Sequence, residues 1–281
     1  MKLVRYGAAG QEKPGLIDKA GQLRDLSGQL PDLVGEAFSP SALARLAALD
    51  PATLPAVSGQ PRLGSPVGGS PKFIAIGLNY ADHAAEANMP IPAEPIVFIK
   101  ANNSLCGPND DVEKPRGSTK LDWEVELAII IGSRAKYVSE ADALNHVAGY
   151  AVCNDVSERN FQLERGGQWT KGKSHDTFGP LGPWLVTKDE IANVHKLGMW
   201  LDVNGKRCQT GSTATMIFNV PKIVSYVSEL MTLLPGDIIT TGTPPGVGMG
   251  MKPIPQFLNV GDVMTLGIDG LGEQKQKVVA A

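Results

Sequence analysis

The sequence predicts an α+β fold dominated by β-structure, and three observations predict it. Glycine (32) and proline (21) together make 53 of the 281 residues, near 19%, where average usage gives about 12%. Helix interiors disfavour both residues, which excludes a helical bundle. Apolar residues make up 42% of the chain and there is no Gly-X-Y period, which excludes disorder and collagen. Short apolar runs recur between turn signals without regular βαβ alternation, so a Rossmann sheet is not expected.

The elements follow in chain order. Gly15-Leu-Ile-Asp18 and Leu23-Arg-Asp-Leu26 flank a polar turn and read as a hairpin. Ser39-Pro40-Ser41 precedes a short helix over Leu43 to Leu49. Residues 57–71, dense in glycine and proline, read as a linker, which divides a small N-terminal domain (1–71) from a larger body (72–281). In that body Phe73–Gly77 and Ile96–Ile99 are strands, and Asn79–Asn88 is a helix between them. Asp122–Ile131 is one long strand, alternating at first and then apolar throughout. Ser139-Glu-Ala-Asp142 has capping-box form and opens a short helix. Gly149–Val156 is a strand, and Ser157 is placed to cap the turn that follows. Pro221 stands at a helix start, with Ile223, Val224, Val227, Leu230, Met231 and Leu234 at helical spacing. The turn-strand segment Leu234–Gly242 is echoed by Asn259–Gly267.

Composition also bounds the partners. The net charge of −3 offers no basic surplus for a phosphate backbone, so no nucleic-acid partner is expected. The longest uniformly apolar run is Leu127–Ile131, far short of a membrane span. Met1-Lys-Leu-Val-Arg5 lacks the apolar core of a signal peptide, and three scattered cysteines fit reduced thiols, so the cytoplasm is the expected compartment.

Acidic residues carry the strongest chemical signal. In a strand, alternate residues share a face, so Glu124 and Glu126 point the same way. Two such carboxylates form either a solvated strand face or a buried pair bridged by a cation, and the apolar continuation Ala128-Ile-Ile-Ile131 favours burial. Asp155 ends another apolar strand, where it either faces a pocket or caps the next turn. Three oxygen donors without cysteine or nearby histidine suit magnesium, manganese or calcium better than zinc. On a helix His83 and Glu86 share a face at i and i+3, the arrangement of a water-activating dyad or of an ordinary surface pair. The glycine-rich run Gly242–Gly250 has neither a GxGxxG pattern nor a P-loop lysine, and reads as backbone that approaches a ligand or as tight turns. His146 and His195 have no evident partners and are expected to be structural.

Four motifs occur in one order: Gly77-Leu-Asn-Tyr-Ala-Asp-His-Ala-Ala-Glu86, Glu124-Val-Glu126, Gly149-Tyr-Ala-Val-Cys-Asn-Asp155 and Gly236-Asp-Ile-Ile-Thr-Thr-Gly-Thr-Pro244. As a set they resemble the fumarylacetoacetate hydrolase family over roughly residues 72–281. The resemblance implies a mixed β-roll or barrel as catalytic body, in homodimers that in some cases pair into tetramers. It implies Mg2+ or Mn2+ held by Glu124, Glu126 and Asp155, and a His83–Glu86 dyad on a segment that orders over the substrate. It further implies substrate contacts from Arg159 and Gln162, an oxyanion-stabilising Lys173, and a pocket wall that includes Tyr80, Lys100 and Thr243. The stretches 168–183 and 246–252 look most like 2,4-diketo-3-deoxy sugar-acid hydrolases of carbohydrate breakdown, often named ureidoglycolate lyase. The implied reaction is cleavage of the C3–C4 bond of a 2,4-dioxo acid to pyruvate and a hydroxy acid. Oxaloacetate decarboxylases, ureidoglycolate lyases and the isomerases or decarboxylases of aromatic degradation are the other activities of this scaffold.

Overall fold

A computed structural model describes residues 1–86 and 90–281. Its centre is an eleven-stranded mixed sheet. The ordered path runs Leu23–Asp25, Lys13–Ile17, Lys2–Tyr6, Gly179–Thr187, Val147–Asn154, Val125–Ile131, Ile238–Thr240, Phe73–Gly77 and Ile96–Lys100. A five-stranded sheet packs against it, built from Lys206–Ser212, Gly198–Val203, Val263–Ile268, Gly272–Ala280 and Val112–Lys114. Among the described residues no helix is long and apolar enough to cross a membrane.

The strand Val125–Ile131 is apolar throughout because it lies between two cores. Leu127, Ile129 and Ile131 join Trp123, Tyr150 and the apolar face of the helix Val220–Leu230. Ala128 and Ile130 point the other way, into a cluster with Leu3, Leu33, Phe38 and Leu185. That second core includes side chains from the first 71 residues. Lys2–Tyr6 also pairs directly with the main sheet, Leu3 opposite Leu185. The stretch 57–71 is accordingly packed, not a free tether: Leu63–Gly64 pairs with Lys2–Tyr6, and Val67 is buried in the second core. Turn-forming residues signal irregular backbone, and here that backbone is held by side chains.

Three local expectations change. The strand expected over Asp122–Ile131 is two pieces, because Leu121–Asp122 pairs with Ser157–Glu158 while Val125–Ile131 pairs with Val147–Asn154. At the join the Asn154 side chain takes the place of a ladder partner and accepts the Glu124 N–H at 3.1 Å. Ser157 does not cap the following helix. Glu158 does, accepting the Asn160 N–H at the start of Arg159–Leu163. The helix expected over Asn79–Asn88 is described over Ala81–Glu86, and its last residues lie outside the described ones. The turn-strand echo is physical: Asp237 and Asp262 each accept the N–H three residues earlier, Leu234 and Asn259, at 2.7 Å.

Gly149 permits a close approach between neighbouring strands of the main sheet. A Cβ there would sit 2.2 Å from the Val186 carbonyl oxygen. Gly149→Ala is expected to destabilise the fold by about 1–3 kcal/mol, read as a lower denaturant midpoint at unchanged slope.

Candidate metal centre and active site

The join between the two ladders brings the acids together. Glu126 pairs with Cys153 and Val125 with Asn154, so the two-residue period places Glu124, Glu126 and Asp155 on one side. All three are buried, and their oxygens lie within 4.8 Å of one another. The sequence expectation of a convergent carboxylate set is realised, with burial as the continuation of the strand implied.

Three cations surround them. Lys173 Nζ donates to Glu124 Oε2 at 2.8 Å and to Asp155 Oδ2 at 2.7 Å. Lys100 Nζ donates to Asp155 Oδ1 at 2.5 Å and to the Lys173 carbonyl oxygen. Arg159 donates from Nη2 to Glu124 Oε1 at 2.6 Å, from Nε to Asp122 Oδ2 at 2.8 Å, and from Nη1 to Gln162 Oε1 at 3.1 Å. Glu126 makes no ion pair among the described residues, and its Oε2 accepts the Gly242 N–H at 2.9 Å. With Asp122 counted, four buried carboxylates face three buried cations.

The charge imbalance falls on Glu126. Burial alone would raise the Glu124 carboxyl, but the Lys173 and Arg159 charges outweigh it and hold Glu124 below the usual carboxylate range. Burial, then the Asp155 and Glu124 charges, push Glu126 well above that range. Burial likewise works against the Lys173 ammonium, but Asp155 and Glu124 prevail and raise its pKa, so it stays protonated. A buried set of three hard oxygen donors with one uncompensated negative charge fits a divalent cation of the magnesium or manganese type.

His83 of the dyad lines the same cavity, whose volume is about 120 Å3. His83 Nδ1 lies 3.0 Å from Glu86 Oε2, and Glu86 Oε1 accepts the Gly246 N–H at 3.0 Å. The glycine-rich loop therefore supports the dyad. A Cβ at Gly250 would meet Glu86 Cδ at 2.7 Å, so the loop's bare backbone is what lets it pack there. Asp122, which the sequence reading assigned no role, ties this loop to the acids. It accepts the Gly248 and Met249 N–H groups at 2.6 and 3.0 Å while holding Arg159. Buried Gln209 adds a second tie, accepting the Val125 N–H at 2.9 Å and donating to Thr243 Oγ1 at 2.8 Å.

Not every expected wall residue reaches the cavity. His83, Glu124, Glu126, Asp155, Arg159, Gln162, Lys173 and Thr243 line it. Tyr80 and Lys100 do not. Tyr80 is fully buried and its hydroxyl meets Met199 Sδ at 3.1 Å, while Lys100 lies behind Asp155 as a counter-charge. Arg159 is a clamp on Asp122 and Glu124, and the Thr243 hydroxyl is tied to the Val125 carbonyl oxygen at 2.9 Å. Phe98 and Trp169, not singled out by sequence, line the apolar side. His146 meets Ser133 Oγ at 2.9 Å, and His195 accepts the Val220 N–H at a helix start, at 3.3 Å; both lie outside the cavity.

Comparison with known proteins agrees with this architecture. The family model for the fumarylacetoacetate (FAA) hydrolase C-terminal domain matches residues 72–279. A Burkholderia cenocepacia protein that carries only a provisional hydrolase name is 63% identical over 276 residues, 98% of each chain. A fumarylacetoacetate hydrolase from psychrophilic Exiguobacterium antarcticum has a TM-score of 0.88 at 37% identity, covering 100% of both chains. The maleylpyruvate hydrolase from Sphingobium sp. SYK-6, solved with manganese(II) and pyruvate, has a TM-score of 0.81 at 31% identity, again over 100% of both. The likeness extends through the first 71 residues as well as the matched body. On its fold, its ordered motifs and these matches, the chain belongs to the fumarylacetoacetate hydrolase family.

Proposed function

We propose that this chain is a divalent-metal-dependent hydrolase that cleaves the C3–C4 bond of a 2,4-dioxo acid, releasing pyruvate and a second acid. The observation that carries this reading is one cavity lined by the acidic triad, the Lys173 ammonium and His83, with Glu86 bonded to His83 from behind. The manganese and pyruvate in the maleylpyruvate hydrolase relative support it.

A cation on Glu124, Glu126 and Asp155 would supply positive charge for the carboxylate and 2-oxo oxygen of the substrate and for the enolate that develops there. The other roles belong to the chain itself. Glu86 accepts from His83 Nδ1, which leaves Nε2 as the base that takes a proton from water. The water oxygen bonds to C4, and the charge that develops on the C4 oxygen needs a donor. Lys173 has three N–H donors and uses two on Glu124 and Asp155, so the third is free for that oxygen. The Gln162 amide N–H2 is a second donor, since its Oε1 is held by Arg159. As the C3–C4 bond breaks, its electron pair passes to C3 as pyruvate enolate, which the proton held by His83 then quenches.

Lys173→Met is expected to lower kcat by about 10^2- to 10^3-fold, the cost of losing one preorganised oxyanion donor. The reaction itself is tested by mass analysis of products from 2,4-dioxo acids, oxaloacetate and ureidoglycolate with Mg2+ or Mn2+. Pyruvate plus a second organic acid is the expected result. Carbon dioxide or a tautomer alone would replace this reading with the decarboxylase or isomerase one, and urea with glyoxylate would replace it with the lyase. The active unit is proposed as a homodimer, with pairing into a tetramer the alternative, both read by light scattering. A 2,4-diketo-3-deoxy sugar acid is the narrower substrate that the sequence motifs suggest, and the cavity wall bears on it directly.

A further inference from the structure

We infer that the cavity selects 2,4-dioxo acids whose distal arm is uncharged and apolar, with Phe98 and Trp169 as the selecting wall. The inference rests on the hydrolase reading and narrows its substrate. Two chemically opposite sets of side chains line the cavity. Its charge belongs to the triad, Arg159, Lys173 and His83. The apolar set is Ile76, Leu78, Phe98, Leu163, Trp169 and Met249, which the charged set meets where Lys173 Nζ stands 5.4 Å from the Phe98 ring centroid.

Among the described residues, a second carboxylate on the arm would find no uncommitted counter-charge. Arg159 is held by Asp122, Glu124 and Gln162, and Lys173 by Glu124 and Asp155, with its third N–H given to the C4 oxygen. Two further cations in the loop that carries Trp169 are engaged elsewhere. Lys171 Nζ donates to the Arg165 carbonyl oxygen, and the Arg165 guanidinium stacks on Phe161 at 4.0 Å. Hydroxyl groups on the arm fare little better. The Thr243 hydroxyl is occupied by Val125 and Gln209 and the Gln162 amide is given to the C4 oxygen, so an arm of several hydroxyls would be desolvated against carbon with no uncommitted partner among the described residues. Leu163 stands 42% exposed at the rim, apolar surface that an alkyl or aryl arm would cover.

The wall has a defined position. The Trp169 ring packs edge-to-face on Phe98 at 5.3 Å between centroids. It also rests on the bare backbone of Gly77, where a Cβ would come within 2.3 Å of Trp169 Cζ3. Glycine at 77 thus sets how deep the indole sits, and with it the width available to the arm.

The test uses the full-length, manganese-loaded protein and a matched series of 2,4-dioxo acids. Four arms are compared: alkyl of increasing length, phenyl, one ending in carboxylate, and one bearing two hydroxyls. The expected result is a kcat/KM that rises about threefold to fourfold per added methylene until the wall is covered, carried mainly by KM. Arms of equal length that carry carboxylate or hydroxyls are expected to fall at least about tenfold below alkyl. Trp169→Ala should bring the ratio between long and short alkyl arms close to one, and Gly77→Ala should shift the preferred arm width. Preference for the carboxylate or hydroxylated arm would overturn the inference while leaving C–C hydrolysis intact. If no dioxo acid is cleaved, the hydrolase reading fails, and thermal-shift binding of 2-oxohexanoate against 2-oxoadipate with Mn2+ decides the wall separately. Tighter binding of 2-oxohexanoate upholds it, and tighter binding of 2-oxoadipate overturns it.

Discussion

Stripping the divalent cation with EDTA is expected to lower turnover by more than about 10^3-fold, because the cation carries several kcal/mol of charge stabilisation in a site of this kind. Mg2+ or Mn2+ should restore it. A second readout does not depend on activity. A cation at 100 times its dissociation constant adds about 2.7 kcal/mol of stability, seen as a higher Tm. The sign of its pH dependence follows from Glu126. Burial and its acidic neighbours raise the Glu126 carboxyl above the ordinary 4.5 in the metal-free fold. That group therefore contributes stability at pH below about 4.5, and the contribution is lost as pH rises through the raised value. Metal-free protein should lose Tm relative to loaded protein as pH rises from about 4.5 through the raised Glu126 value, and metal uptake over that range should release a proton. Glu126→Gln removes the buried charge at constant shape. It should abolish the metal-induced rise in Tm while leaving the metal-free Tm equal or higher. Full activity in protein shown by elemental analysis to be metal-free would sink the metal assignment.

The carboxylate set was legible in the sequence because its determinants are local. Glu124 and Glu126 share a face by strand period, and Asp155 follows an apolar run that must be buried. The dyad was legible for the same reason, since i and i+3 meet on any helical turn. What was not legible depends on long-range partners. The break between Asp122 and Val125 arises because Asn154, thirty residues away, supplies a side-chain acceptor in place of a ladder bond. Tyr80 and Lys100 neighbour site residues in sequence but turn into the interior, Tyr80 after a left-handed Leu78 at φ 50° that no local pattern announces. Lys100 is needed where four acids meet too few cations, which only the assembled cluster reveals. Nor can the texture of residues 1–71 show where its apolar face goes: Leu3, Leu33 and Phe38 meet Ala128 and Ile130 of the central sheet. The glycine-rich run Gly242–Gly250, open in sequence between a ligand-facing backbone and tight turns, lines the cavity through Gly242, Thr243 and Met249, and the stretch 168–183 does so through Trp169 and Lys173.

Replacing His83 by alanine is expected to lower kcat by about 10^2- to 10^4-fold, the range for loss of a positioned general base, with metal content unchanged. The separation is physical. His83 contacts Glu86 and faces the cavity, whereas the metal-type ligands are held by Lys100, Lys173 and Arg159 on other elements. Glu86→Gln should give a smaller loss. The amide still accepts the Gly246 N–H, but it removes the charge that favours the imidazolium formed when water is deprotonated. The pair of variants also separates reaction classes. Hydrolysis needs a proton taken from water, whereas decarboxylation needs only the enolate to be stabilised. A His83→Ala protein that makes no second acid from a 2,4-dioxo acid yet still releases carbon dioxide from oxaloacetate would place His83 in water activation alone. Full hydrolytic activity in the same variant would remove the dyad from the mechanism and leave Lys173 and the cation to act on a water delivered from elsewhere in the cavity.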